Sequence, residues 1–182
     1  MLLFVTSKLY SGDLGGSAGA DAECQTLAAA AGLAGEFKAW LWTDKDRPEE
    51  TFYHSPGRYM RTDMVVVANN FDQLFNGPLL ATLTVTETKE DTQSLGPKDD
   101  YHNWIHIWTG WNPAFRGGLT FGHCDNWTDA SKDHGGGATQ FNSPILGTAY
   151  ENGYIGMFVC HYYSFPILCV QQAWYPVDTE PG

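Results

Sequence analysis

The residues with the most constrained chemistry are four cysteines, Cys24, Cys124, Cys160 and Cys169. None follows another at the two-to-four-residue spacing of a zinc knuckle, so an even set of this kind reads as two disulfides, with four buried thiols in a reducing compartment as the alternative. Spacing alone leaves three pairings open. His102 and His106 are four apart, which would suit a metal pair on a helix. The surrounding Tyr101 to Thr109 is β-branched and aromatic, however, and on a strand His102, Trp104, His106 and Trp108 share one face, where they read as packing. Asp125, Asp129, Asp133 and His134 lie near a glycine run and could surround calcium, but they lack the regular spacing and closing Glu of a calcium loop. They read as a solvated acidic loop, and calcium binding has no motif behind it.

Catalytic signatures are missing. There is no Gly-x-Ser-x-Gly, no His-Glu-x-x-His and no phosphate-binding glycine loop, and paired cysteines leave no thiolate nucleophile. Asp and Glu side chains could pair as acid and base on a polysaccharide, which keeps a hydrolase as an alternative. A richer lead is aromatic: Trp104, Trp108, Trp111 and Phe115, then Trp127, Tyr162 and Tyr163, interleaved with Asn, Asp and Arg. Such rings either fill a core or form a sticky surface. Trp104, Trp108 and Trp127 read as core, and Trp111, Asn112 and Arg116 as the exposed members. With Trp127, Asp129 and His134, the last three make up the candidate ligand-binding set. Asn126-Trp127-Thr128 also fits the N-glycosylation sequon.

These residues need elements to hold them. Met1 to Thr6 reads as a first strand, having neither a basic leader nor a small-residue cleavage site. The segment from Gly19 to Gly32 reads as a helix with Asp21 and Glu23 in its first turn, an inward stripe at Cys24, Leu27, Ala28 and Ala31, and Gly32 as its left-handed stop. Phe37 to Trp42 reads as a buried strand that ends in the charged turn Asp44 to Pro48, and Met64 to Ala68 as a short strand. A second helix is expected over Asn69 to Gly77, capped by Asn and closed by Gly. Further strands are expected at Trp104 to Thr109, Gly156 to Cys160 and Pro166 to Gln171, around a long region punctuated by Gly117-Gly118 and Gly135 to Gly137. Two helices with mixed or antiparallel sheets make an α+β chain, expected as one domain over 1–177 with a polar tail over 178–182.

Charge narrows the partners. Ten Lys and Arg stand against 21 Asp and Glu, a formal net charge of -11. That balance opposes nucleic acid and heparin-like glycans, both of which need a concentrated positive field. The longest apolar stretches fall far below the roughly 20 residues that span a bilayer, so no membrane insertion is expected.

The run Gly15-Gly16-Ser17-Ala18-Gly19-Ala20-Asp21-Ala22-Glu23-Cys24-Gln25, followed by Gly32 to Leu41, closely resembles the N-terminal part of endostatin-like domains. Those are the C-terminal domains of multiplexin collagens, together with related bacterial secreted proteins. Val67 to Gly77 is similar to the family's second helix, Cys124-Asp125-Asn126-Trp127-Thr128 resembles its Cys-x-x-Trp-Thr turn, and Cys160 and Cys169 match its remaining pair. The resemblance covers nearly the whole chain. It implies a C-type-lectin-like fold with a long loop region and nested disulfides, Cys24 to Cys169 and Cys124 to Cys160. It also implies an extracellular or cell-surface location, with the signal peptide lying outside this chain.

Departures from the family limit what carries over. Arg47, Arg58, Arg61 and Arg116 are scattered in an acidic background, so the heparin binding of collagen-derived endostatins is not expected. No histidine precedes His54, so their N-terminal zinc site is absent. Calcium-dependent lectins carry a Glu-Pro-Asn or Gln-Pro-Asp triplet and a Trp-Asn-Asp motif, and this chain has Trp111-Asn112-Pro113 and Trp127-Thr128-Asp129 instead. The expectation is a non-catalytic recognition or adhesion module for an extracellular protein or glycan, with no required cofactor. The alternatives are the hydrolase above and a structural subunit of a surface assembly.

Overall fold

The computed structural model describes residues 1–95, 106–110, 122–131, 134–143, 146 and 155–172. Strand β1 (Leu2–Val5) organises the larger of two sheets. It pairs antiparallel with β8 (Leu168–Gln171) and parallel with β3 (Tyr59–Arg61). β2 (Phe37–Ala39) and β4 (Val66–Ala68) extend the edges to give the order β2-β8-β1-β3-β4. One parallel pair among antiparallel ones makes this sheet mixed. A second, antiparallel sheet has the order β5-β6-β7, from His106–Trp108, Gly135–Gln140 and Ile155–Val159. Of the expected strand Phe37 to Trp42 only Phe37–Ala39 is a strand, and the chain just after it joins the two sheets: Trp40 N donates to Leu168 O, and two residues later Trp42 N donates to Thr109 O at 2.9 Å.

Helix α1 (Gly16–Ala30) buries Ala20, Cys24, Leu27 and Ala28, as the apolar stripe requires. Gly32, at φ 70°, ends it as expected: Leu33 N bonds Ala28 O and Gly32 N bonds Ala29 O, the two reversed bonds of a Schellman stop. Its start differs from the sequence reading. The helix begins three residues before Gly19 and has no acid in its first turn. Left-handed Gly15 and Gly16 steer the chain into it early, and Gly19 lies so close to the Leu14 carbonyl that no Cβ would fit there. Asp21 and Glu23 serve other elements instead, Asp21 accepting from Ala39 N and Glu23 from the Tyr10 hydroxyl.

Two helices were expected, and among the described residues two further short α-helices are present. Pro48 opens α2 (Pro48–Thr51) with Glu49 and Glu50 in its first turn, a pattern suited to a helix start. α3 (Phe71–Asn76) matches its expectation, with Asn70 Oδ1 accepting from Gln73 N and Gly77 as its C-cap. The last, α4 (Cys124–Trp127), is a single turn in which all four residues have positive φ, from 49° to 65°. Strand Met64 to Ala68 is also shorter than expected, because Met64 takes φ 70° in the turn between β3 and β4.

Two disulfides cross-link the frame. Cys24 in α1 bonds Cys169 in β8, and Cys124 bonds Cys160, nested inside the first. All four cysteines are fully buried, and no described cysteine is free. The core divides into two clusters. One gathers both disulfides with Trp108, Trp127, Phe165 and the buried face of α1. The other is aromatic and aliphatic, around Trp40, Trp42, Tyr59, Phe71 and Leu74. No described helix is long and apolar enough to cross a membrane.

Candidate functional site

The inner disulfide holds an unusual piece of backbone. A left-handed helical turn costs an L-residue roughly 1–2 kcal/mol because Cβ crowds the following carbonyl oxygen. Cys124, Asp125, Asn126 and Trp127 adopt it without a glycine among them, so the surroundings must over-determine it. Three do so. The Cys124 side chain is tied to Cys160. Trp127 is fully buried, donating its indole N–H to Trp42 O at 3.0 Å and meeting Trp108 edge to face at 5.7 Å. The third is polar: His123 Nδ1 accepts from Asn126 N at 2.8 Å, and Nε2 lies 3.0 Å from Asp44 Oδ1.

Asp44 and Asn126 clasp each other across 82 residues of sequence. Asp44 N donates to Asn126 Oδ1 at 2.8 Å, and Asn126 Nδ2 donates to Asp44 Oδ2 at 3.0 Å. The Asn126 amide and then His123 hold the Asp44 carboxyl below the usual carboxylate range. This geometry limits the chemistry. An Asp beside a His resembles the orienting half of a catalytic triad, but the far ring nitrogen of such a His must face a nucleophile. In His123 that nitrogen accepts a backbone N–H, so both ring nitrogens have partners within the fold. The sequon asparagine is likewise engaged, its amide nitrogen bonded to Asp44.

A polar cleft of about 330 Å³ lies against this turn, lined by residues 15–18, residues 43–46, Asn126 and Thr128. Ser17 Oγ donates to Asp46 Oδ2 at 3.1 Å on its wall. Hydroxyls, carboxylates and amides of both polarities face one small volume, which suits hydrogen bonding to a neutral, polar ligand. It does not suit acid catalysis by Asp44, whose partners favour its ionised form.

The candidate binding residues fare unequally. Trp111, Asn112 and Arg116 lie outside the described residues, as do His102, Trp104, Phe115 and Asp133. Trp127 is corrected from ligand contact to scaffold: it has no exposed surface, and its indole N–H is used internally. Trp108 is equally buried, donating to Tyr10 O at 2.7 Å, in line with its reading as core. Asp129 and His134 are brought together, Oδ2 to Nδ1 at 2.9 Å, both about one-third exposed. The Ser131 backbone N–H, with His134 adding to it, holds Asp129 below the usual range. The main chain of His134 accepts from Cys160 N, which places this pair beside the inner disulfide. His106 packs its ring against Phe158 and Phe165, and burial pushes its pKa down to about 4. Among the described residues no group of three or more His, Cys, Asp or Glu is placed to hold a metal ion.

Sequence reasoning missed His123 and the partnership of Asp44 with Asn126. No local signal announces a contact between residues 82 positions apart. No family model matches this chain, and no curated protein matches it.

Proposed function

We propose that this chain is a non-catalytic recognition module of the endostatin-related, C-type-lectin-like kind, working outside the reducing cytosol. Its ligand is an extracellular glycan or protein held by the loop-rich half that the inner disulfide braces. The observation that carries this reading is the state of the residues at the cleft. The one described His–Asp pair there has both ring nitrogens engaged, while hydroxyls, amides and carboxylates of opposite hydrogen-bonding sense line an open polar volume. The binding groups at the cleft support a recognition role.

The lineage rests on the motifs through Leu41 and at Cys124 to Thr128. It is supported by the joining of the first helix to the last strand by one disulfide, with the other nested inside it. Buried disulfides also support an oxidising compartment. The net charge of -11 points away from heparin and nucleic acid.

A glycan array run beside a hydrolysis screen on the same saccharides tests the reading. The expected result is retained ligand without turnover, weakened by Asp46→Asn at the cleft wall. Turnover of any bound saccharide would overturn it in favour of a polysaccharide hydrolase.

A further inference from the structure

The partners of His123 fit its neutral form. Nδ1 accepts from Asn126 N at 2.8 Å and so carries no proton, which leaves the ring proton on Nε2, 3.0 Å from Asp44 Oδ1. Asp44 and Asn126 also hold each other, Asp44 N donating to Asn126 Oδ1 and Asn126 Nδ2 to Asp44 Oδ2. Both line the polar cleft. One imidazole therefore braces a wall of the cleft through its lone pair and its single proton.

A second proton breaks this arrangement. It has to be added at Nδ1, where it would point at the Asn126 N–H, donor against donor across 2.8 Å. Turning the ring over does not help, because both nitrogens of the charged ring are donors. The side chain is 10% exposed, so water reaches it, and the Asp44 carboxylate beside Nε2 gives the cation a countercharge. Among the described residues Asp44 is the only charged group bonded to the ring. Lys45 and Asp46 follow it along the cleft wall, Asp125 belongs to the turn, and Asp13 pairs through its main chain with Thr128. On the other side β6 meets this segment with the glycines 135–137.

The backbone that loses the Nδ1 bond is under strain. Cys124 to Trp127 are left-handed throughout, so the turn gains by relaxing once its cap is gone. Cys124 stays tied to Cys160 and Trp127 stays buried, which confines the movement to Asp125 and Asn126 between them.

We infer that His123 is a proton-operated latch on the cleft: the neutral ring keeps Asn126 and Asp44 clasped, and proton uptake frees Asn126 and opens the wall, so that a ligand held near neutral pH is released in acid. The release of a ligand rests on the recognition reading above, and the latch itself does not. Asp44 stays ionised meanwhile, since the Asn126 amide and then His123 hold its carboxyl below the usual range.

NMR of the intact protein without ligand, from about pH 8 to about pH 5, where an ordinary imidazole changes charge, tests it. The Asn126 and Asp44 amide signals should shift with the same midpoint as the His123 ring signals. Protection of the Asn126 amide from hydrogen exchange, corrected for the intrinsic rate, should fall about tenfold or more once the ring is charged. His123→Asn keeps an acceptor at the cap position and takes no proton, so its Asn126 amide should stay protected throughout. The latch is overturned by a ring that titrates with no response at Asn126, by a ring that stays neutral over the whole range, or by an Asn126 response that persists in His123→Asn. An empty glycan array would sink the recognition reading and leave the latch standing, whereas a silent Asn126 amide sinks the latch alone.

Discussion

The two core clusters reach a dry interior by different means. Around Trp40 the rings do the filling: Trp42, Phe52, Phe71 and Phe75 all lie with centroids 5.2–6.2 Å from it, and the cluster holds no cysteine. Around Trp127 the main chain itself is packed. Gly136 in β6 leaves no room for a side chain, since a Cβ there would lie 2.7 Å from Cys124 Sγ and 2.8 Å from Trp108. Gly110, at φ 79°, is pinned in the same way between Trp127 and Trp42 O. Where backbones approach so closely, two covalent links add to the burial of Trp108, Trp127 and Phe165 and hold the strained turn in place. The aromatic half should therefore tolerate reduction, and the stapled half should not.

The largest separation should come from the cysteines. Chain-entropy estimates for loops of 145 and 36 residues are about 5 and about 4 kcal/mol, non-additive because the links are nested. Urea denaturation of Cys24→Ser/Cys169→Ser should show a loss comparable with the whole stability of an ordinary domain. Cys124→Ser/Cys160→Ser should lose somewhat less and should release Trp127, seen as a red-shifted fluorescence component.

Next comes the close-packed backbone. Gly136→Ala should cost about 3 kcal/mol by overpacking against the disulfide and Trp108, read from the denaturation midpoint. Gly57→Ala, where the nearest contact is an ordinary 3.5 Å, is the matched control.

Acid should act on the stapled half through His106, whose pKa burial lowers to about 4. Above about pH 6.5 the ring is neutral folded or unfolded and stability does not change on its account. As pH falls from 6.5 to 4 the unfolded chain takes the proton first, so stability declines across that window and levels off below it. Discounted for the ring's partial exposure, the loss is about 2 kcal/mol. His106→Phe should flatten that part of a plot of denaturation midpoint against pH.

A subtler contrast lies in two tryptophans, both fully buried. The Trp127 indole N–H donates to Trp42 O, whereas Trp40 Nε1 has no hydrogen-bond partner. Trp127→Phe orphans a carbonyl and Trp40→Phe orphans nothing, so the first should cost about 1–2 kcal/mol more than the second. Equal losses would remove the distinction between the clusters. The smallest effect belongs to the aromatic half: Asn70→Ala, which removes the side-chain cap of α3, should cost about 1 kcal/mol by thermal melting.

How legible each half was in the sequence follows the same division. In the aromatic half the signals are local. Asn70 and Gly77 bracket a short amphipathic run, and the helix lies between them. Gly32 and the apolar stripe of α1 are readable for the same reason. Pro48-Glu49-Glu50 carried a helix-start signal too, but a four-residue helix is hard to tell from a charged turn. In the stapled half the determinants are non-local. Nothing in Cys-Asp-Asn-Trp states that four residues will wind left-handed, because the cause is a bond to Cys160, a pocket under Trp108 and a clasp to Asp44. The glycine run 135–137 read as loop punctuation, yet it lies in β6, where glycine is needed because Cys124 and Trp108 occupy the space beside it. The disulfide pairing came from family likeness rather than from spacing, which permits three solutions.

Mass-spectrometric mapping of peptides from the unreduced protein tests the central claim most directly, since the frame, the strained turn and the braced cleft all depend on which sulfurs are joined. The account predicts two cross-linked species, Cys24 with Cys169 and Cys124 with Cys160, and no alkylatable thiol. Crossed pairs, or four free thiols in protein recovered from its native compartment, would contradict it.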